Sequence, residues 1–352
     1  MEYLLFVGEK NTIAELEIAT QIPSAQKIYP NVFCFEHEGN PPVDIVSNLG
    51  SGIKLAQLVP SLTPTPKSFS STIQQKNFSL TILGSSDFQN KTLPDDIKQI
   101  LGSGYRYILP KFAFGISPLV YSKQSVQEFF ISPEGKVYKT IWVHSYKEWI
   151  QKDRKLPGID PHSGMLPPKI ARSLINLVKV EDPASATLVD PFCGSGRIVI
   201  EAAQMGFQVI ASDISPEKIS QTQQNLNSLD LTANVFLSDA VHLSTKITTP
   251  VDLIVTEPFM GRPNLVDSQI RNAAKGLTKL YTGALKDWHK ILKKGGYVVM
   301  IFPSFSLNNQ SISTSVVIDD PALVRYNVKT RNLFYSRPQA RLKREIVILQ
   351  SL

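Results

Sequence analysis

The feature that most restricts the fold is a series of five short apolar runs in the C-terminal half, at residues 187–190, 208–213, 233–239, 251–257 and 296–302, separated mostly by stretches of helical length. Near-continuous apolar strands alternating with helices predict a parallel sheet covered on both faces, because a sheet with one wet face alternates polar and apolar residues. Such a sheet takes ligands beyond the carboxyl ends of its strands. Four of the runs end on an acid, Asp190, Asp213, Asp239 and Glu257, which places several carboxylates along one sheet edge. A single strand-end acid is commonplace as a turn former or helix cap, but four in sequence order require a joint explanation.

The rest of the chain is consistent with a multi-unit α/β protein. Its 352 residues suggest two or three folded units. A composition of 42% hydrophobic and 19% charged residues is that of an ordinary globular chain. The formal charge of +7 permits a polyanionic partner without demanding one. Two cysteines, Cys34 and Cys193, make neither a disulfide framework nor a cysteine-rich zinc site, so no metal is expected. The apolar run near Met1 is short and flanked by Glu2 and Glu9, unlike a signal peptide. No stretch approaches the roughly 18 apolar residues of a membrane span, and a soluble cytoplasmic protein is expected.

Toward the N-terminus, residues 3–7 read as a strand and residues 13–19 as a capped helix. A strand at 31–37, a Gly39-Asn40-Pro41-Pro42 turn and a helix near 43–49 follow, giving a small α+β unit. Three prolines within 60–67 resist helix and central strand and suggest a linker, an ordered surface loop being the alternative. A second α+β pattern has strands at 78–83, 105–109 and 126–131 and a helix at 93–101. Residues 145–155 fit a helical connector or a solvated linker, and 339–349 a final, antiparallel strand entered through a basic turn.

Chemistry concentrates at Asp190-Pro191-Phe192-Cys193-Gly194-Ser195-Gly196, which leaves the first of the five strands and enters a helix near Arg197. Gly194 and Gly196 permit a sharp turn and close approach of a ligand to the backbone. The nicotinamide fingerprint would need a third glycine where Val199 stands. A carboxylate at Asp190 suits a cationic amino-acid headgroup better than a pyrophosphate. Asp213 follows at close to the interval of about 20 residues at which a strand-end acid reaches a ribose hydroxyl pair. Asp239, before Ala240, can accept from an adenine amino group. An ammonium partner, a ribose clamp and an adenine contact together describe S-adenosylmethionine, with another nucleotide or a merely structural turn as the alternatives.

These residues, followed by Thr256-Glu257-Pro258-Phe259-Met260-Gly261, resemble the class I methyltransferases that act on exocyclic amines of nucleobases. More narrowly, Ser163-Gly164-Met165-Leu166-Pro167-Pro168-Lys169-Ile170-Ala171-Arg172 resembles the entry to the catalytic domain of the THUMP-containing tRNA guanine-N2 methyltransferases. The resemblance implies an α/β chain with a Rossmann-like class I methyltransferase domain at 165–352, a connector at 146–164, a THUMP-like RNA-binding domain at 68–145 and a ferredoxin-like domain at 1–62. In the last of these, Ala14-Glu15-Leu16-Glu17 matches the opening and Gly52-Ile53-Lys54-Leu55-Ala56 a later turn. Asp153 and Pro157 match a connector pattern in which arginine usually precedes the proline, where Leu156 stands here. The implied cofactor is S-adenosylmethionine, held by Asp190, Phe192, Gly194, Ser195, Gly196, Asp213, Ile214, Asp239 and Ala240.

Glu257, Pro258 and Phe259 are the candidate catalytic residues. The family pattern at this turn is an acid or Asn, two prolines and an aromatic; either Glu257 or Thr256 can occupy its polar position. A polar side chain and the turn's backbone carbonyls can accept N–H bonds from a nucleobase amine, while Phe259 stacks on the base. The implied partner is tRNA or another structured RNA, with no membrane. Its candidate contacts are Lys91, Arg106 and Lys111 in front, and Arg331, Arg337, Arg341, Lys343 and Arg344 near the C-terminus. Methylation of amino groups in DNA or ribosomal RNA, and a catalytically silent tRNA-binding protein, are the competing readings.

Overall fold

The computed structural model describes residues 1–8, 12–85, 92–112, 114–158, 165–262, 265–307, 310–336 and 342–352. The chain divides into two compact units, one made of Met1–Lys10 and Gln21–Trp149, the other of Asn11–Thr20 and Ile150–Leu352.

The chain runs through β1 (Glu2–Val7), α1 (Thr12–Gln21), β2 (Gln26–Tyr29), β3 (Val32–Glu36), α2 (Val43–Ser47), β4 (Gly52–Leu58), α3 (Pro66–Thr72), β5 (Asn77–Ile82), α4 (Thr92–Leu101), β6 (Arg106–Tyr107), α5 (Pro118–Gln124), β7 (Val126–Ile131) and β8 (Val137–Val143). The strands of the first unit form one eight-stranded sheet in the order β2-β3-β1-β4-β8-β7-β5-β6. Gly52–Leu58 is therefore a central strand, not the expected turn: Leu55 and Ala56 are buried, and the ammonium of Lys54 is neutralised by Glu128 at 2.7 Å. That fully buried pair is satisfied all round, with Lys54 donating to the Phe114 carbonyl and Glu128 accepting from Thr140 and the Ile116 N–H. The proline-rich stretch is an ordered loop at 60–65 that runs into α3 at Pro66. Leu62 is buried, and the Thr65 hydroxyl accepts from the Ser68 N–H to cap α3.

In the second unit, α1 joins α6 (Tyr146–Arg154, which begins in the first unit), α7 (Pro168–Asn176), β9 (Thr187–Asp190), α8 (Arg197–Gln204), β10 (Gln208–Asp213), α9 (Pro216–Asn227), β11 (Asn234–Leu237), β12 (Val251–Thr256), α10 (Asp267–Trp288), β13 (Leu292–Leu307), β14 (Gln310–Ser313), β15 (Tyr326–Tyr335) and β16 (Leu342–Ser351). The sheet order is β11-β10-β9-β12-β13-β16-β15, with β14 paired to β13. The first five strands of that order are parallel, and β16 is antiparallel to both β13 and β15. Neighbouring residues feed opposite cores: Leu188, Leu253, Val299 and Ile346 one, Val189, Ile254, Val298 and Val347 the other. Burial on both faces is what makes these strands uninterrupted apolar runs. Helix α1 belongs here because Ile13 joins the first of these cores and the buried Glu17 accepts from Ser173 Oγ at 2.9 Å and Asn176 Nδ2 at 2.8 Å on α7.

The strand order reverses at β9, whose neighbours are β10 and β12. In an open α/β sheet this switch point opens a crevice at the carboxyl ends of the strands. Among the described residues no helix is long and apolar enough to cross a membrane, and no group of three or more His, Cys, Asp or Glu side chains is placed to hold a metal ion.

Candidate active site

The loop after β9 is fixed almost entirely through its backbone. Cys193 N–H donates to the Ser212 carbonyl at 2.9 Å and Gly194 N–H to Asp213 Oδ2 at 3.0 Å. From α9, Thr222 Oγ1 donates to the Gly194 carbonyl and Asn225 Nδ2 to the Ser195 carbonyl, each at 2.8 Å. Gly196 starts α8 at φ +84°, and a Cβ there would lie 3.0 Å from Thr222 Cγ2, so this position demands glycine twice over. A Cβ on Gly194 would meet no atom within 4 Å, which places that backbone against open space.

The four strand-end acids have different duties. Asp190 is buried and accepts from the Phe192 N–H at 3.2 Å and from the Thr256 hydroxyl at 2.7 Å. Burial pushes its carboxyl up to about 7, and the nearby charges of Asp213 and Glu257 act in the same direction. Asp213 takes one backbone donor on each oxygen, Gly194 N–H and, at 2.9 Å, Ser215 N–H. Each carboxylate oxygen has two lone pairs, so those bonds leave acceptor capacity for a ligand. Asp239 caps the short helical turn that follows it through the Val241 N–H.

Glu257 faces two adjoining recesses. The larger holds about 410 Å³ and is bordered by Asp213, Ile214, Asp239, Ala240, Pro258 and Phe259. The smaller, about 190 Å³, reaches Asp190 and Ser195, and the two share Phe192, Gly194, Lys218 and Glu257. The larger volume lies within the range of about 300–1,000 Å³ typical of small-molecule sites. Of the residues expected to hold a cofactor, Gly196 alone borders neither recess; it shapes the loop.

The turn after β12 is held by side chains. Arg344 Nε on β16 donates to Glu257 Oε1 at 2.5 Å, with both side chains largely buried. Tyr281 on α10 donates its hydroxyl to the Phe259 carbonyl at 2.6 Å, so that carbonyl already has one donor. The Phe259 ring is 55% exposed at the rim of the larger recess. The two readings of the polar position separate here: Thr256 is fully buried and bonded to Asp190, whereas Glu257 opens to both recesses.

The described RNA-contact candidates belong to both units. Arg106 and Lys111 are exposed in the first unit, and Lys343 is exposed on β16. Arg331 pairs with Asp319 at 3.0 Å, and Arg344 is placed on Glu257 and not in a solvent-facing basic patch. Lys91, Arg337 and Arg341 lie outside the described residues. Sequence reasoning missed Lys218, Tyr281 and the Arg344 partnership. A signal existed for Lys218, since Ser215-Pro216, beginning two residues after Asp213, announces a helix whose first turn lies near the strand ends. None existed for Arg344, whose partner is 87 residues away.

Residues 159–330 match the family described as the RMKL-like methyltransferase domain, and residues 88–224 match a DNA methylase family. The tRNA (guanine(10)-N2)-dimethyltransferase of Methanothermobacter thermautotrophicus is 35% identical over 145 residues, covering 41% of this chain and 40% of that protein. The probable tRNA (guanine(10)-N2)-dimethyltransferase of Methanothermococcus thermolithotrophicus is 34% identical over 141 residues, 37% of this chain and 77% of that protein. The chain thus matches less than half the length of the first of these relatives. Among solved structures, TrmN from Thermus thermophilus superposes with a TM-score of 0.58 and 14% identity, each chain covered over 100% of its length, which extends the likeness in fold to both units.

Proposed function

We propose, from the premise that the chain belongs to the family of the tRNA (guanine(10)-N2)-dimethyltransferases, that it transfers a methyl group from S-adenosylmethionine to the exocyclic N2 amine of a guanine in tRNA. The observation that carries this reading is the pair of adjoining recesses at the switch point, one bordered by Asp213 and Asp239, both opening on Glu257. The side chains fit the cofactor: acceptors at Asp213 and Asp239 for ribose hydroxyls and an adenine amine, apolar Ile214 and Ala240 for the ring, and Asp190 for the ammonium. S-adenosylmethionine, when bound, would supply a methyl group on a sulfonium sulfur whose leaving group is the neutral thioether.

The protein's part is orientation. A guanine amine is a weak nucleophile because its lone pair is delocalised into the ring, so accepting its N–H bonds turns that lone pair toward the methyl donor. Glu257 is the acceptor, held by Arg344, and Phe259 stacks on the base, a contact worth about 1–3 kcal/mol in comparable sites. No strong base is needed before transfer; the proton leaves once the nitrogen is cationic, to Glu257 or to water. The base reaches the recess from an unpaired position or by flipping.

In this reading residues 1–62 and 68–145 are the ferredoxin-like and THUMP-like parts, residues 146–164 connect them to a catalytic domain at 165–352, and Arg106 and Lys111 lie on the RNA-holding side. Transfer of labelled methyl to tRNA followed by nucleoside analysis tests it: N2-methylguanosine is expected, and N6-methyladenosine contradicts the base assignment. The DNA methylase match supports a second reading, amino methylation of DNA, but it ends at residue 224, before the Glu257 turn. Competition between tRNA and DNA separates the two.

A further inference from the structure

Of the C-terminal basic residues, Arg331 and Arg344 are ion-paired and do not stand open to a polyanion. A different row does. On α10, Arg271, Lys275, Lys279 and Lys286 are all exposed. At 3.6 residues per turn they share an arc of about 80°, opposite the buried Ile270, Leu277, Tyr281 and Trp288, and extend over about 22 Å. Exposed Arg262 precedes them, directly after the Glu257 turn. Two other exposed lysines of this unit are neutralised: Lys290 by Asp287 at 3.0 Å, Lys293 by Asp252 at 2.6 Å. The four on α10 make no ion pair among the described residues. Arg271, Lys275 and Lys279 are like charges at i and i+4, a spacing that destabilises a helix, whereas Lys286 sits in the last turn, where the helix dipole favours a cation.

The same helix reaches the catalytic turn. Leu280, next to Lys279, borders the larger recess, and Tyr281 bonds the Phe259 carbonyl. We infer that the solvent face of α10 is a phosphate track that lays the RNA backbone beside the recess receiving its base, an inference that rests on the RNA-methyltransferase reading above. Unpaired cations on a rigid helix bind a polyanion by releasing its counterions, without reading sequence.

The test is the salt dependence of tRNA affinity of the full chain. Replacing Arg271, Lys275 and Lys279 together by Gln, which keeps helix propensity, is expected to lower the slope of log affinity against log salt by about two to three, at about 0.7–0.9 per lost phosphate contact. S-adenosylmethionine affinity, measured by calorimetry, stays unchanged. The matching variant with Lys290, Lys293 and Arg331 as Gln keeps the wild-type slope. If the first variant does not fold, Lys275→Gln and Lys279→Gln singly carry the test, each lowering the slope by just under one. A wild-type protein that binds tRNA with a slope these changes leave intact overturns the track alone. Failure of the wild type to bind tRNA at any salt overturns the RNA reading and the track with it.

Discussion

The loop after β9 and the turn after β12 leave adjacent strands of one sheet, yet they are built by opposite means. The first is a backbone cradle: its N–H and carbonyl groups are tied to β10 and α9, and Gly196 admits no side chain. The second is a side-chain assembly in which Arg344 and Tyr281, from β16 and α10, hold a turn whose aromatic ring stands in solvent. A cradle of that kind suits a ligand of constant shape. The side-chain turn suits a base that arrives on a large polymer and leaves again.

Substitutions separate the two halves. Glu257→Gln is expected to lower single-turnover methyl transfer by about 100-fold, because the neutral amide is a weaker acceptor for the guanine amine, loses its charged tie to Arg344 and takes no proton, while leaving cofactor affinity unchanged in calorimetry. A loss of cofactor affinity instead would move Glu257 to the cradle. Asp213→Ala should do the reverse, weakening cofactor binding at least tenfold. It also leaves two backbone donors without their partner, at about 1–3 kcal/mol of stability, visible in denaturant unfolding.

Arg344→Gln is a finer probe. It is expected to reduce turnover by about tenfold, the loss of one charge-assisted hydrogen bond, with no change in the salt slope of tRNA binding. The effect should disappear in a Glu257→Gln background, because the arginine acts through that carboxylate. Additive losses would make Arg344 an independent contact.

The smallest expected effect is on pH dependence. The Asp190 carboxyl is held up at about 7 in the fold, against about 3.9 in an unfolded chain. The folded state therefore binds the extra proton, and its contribution to stability falls as pH rises from about 4 to 7. Cofactor affinity should run the other way, rising between pH 6 and 8, since only the ionised acid attracts an ammonium. Asp190→Asn should flatten both profiles; an affinity that is level across this range in the wild type would remove Asp190 from the headgroup site.

What the sequence disclosed follows from physics that acts locally. The parallel strands are legible because burial on both faces leaves no room for polar alternation, and Asp190, Asp213, Asp239 and Glu257 stand out because each ends such a run. Edge strand β15 is not legible, since most of its residues are exposed or only half-buried and carry no apolar period. Strand β4 was disguised by Lys54, a charge whose burial depends on Glu128, 74 residues on. Helix α1 gave no sign of belonging with the second unit, because Ser173 and Asn176, which receive Glu17, are more than 150 residues away. Pairings across such distances reside in the tertiary structure and leave no local pattern.

The most direct measurement of the central claim is a crystal structure of the chain with S-adenosylhomocysteine. The nucleoside is expected in the larger recess, its ribose on Asp213 and its adenine beside Asp239, with the sulfur directed toward Glu257. A nucleoside bound away from Gly194, or a recess closed by the protein's own side chains, would contradict it.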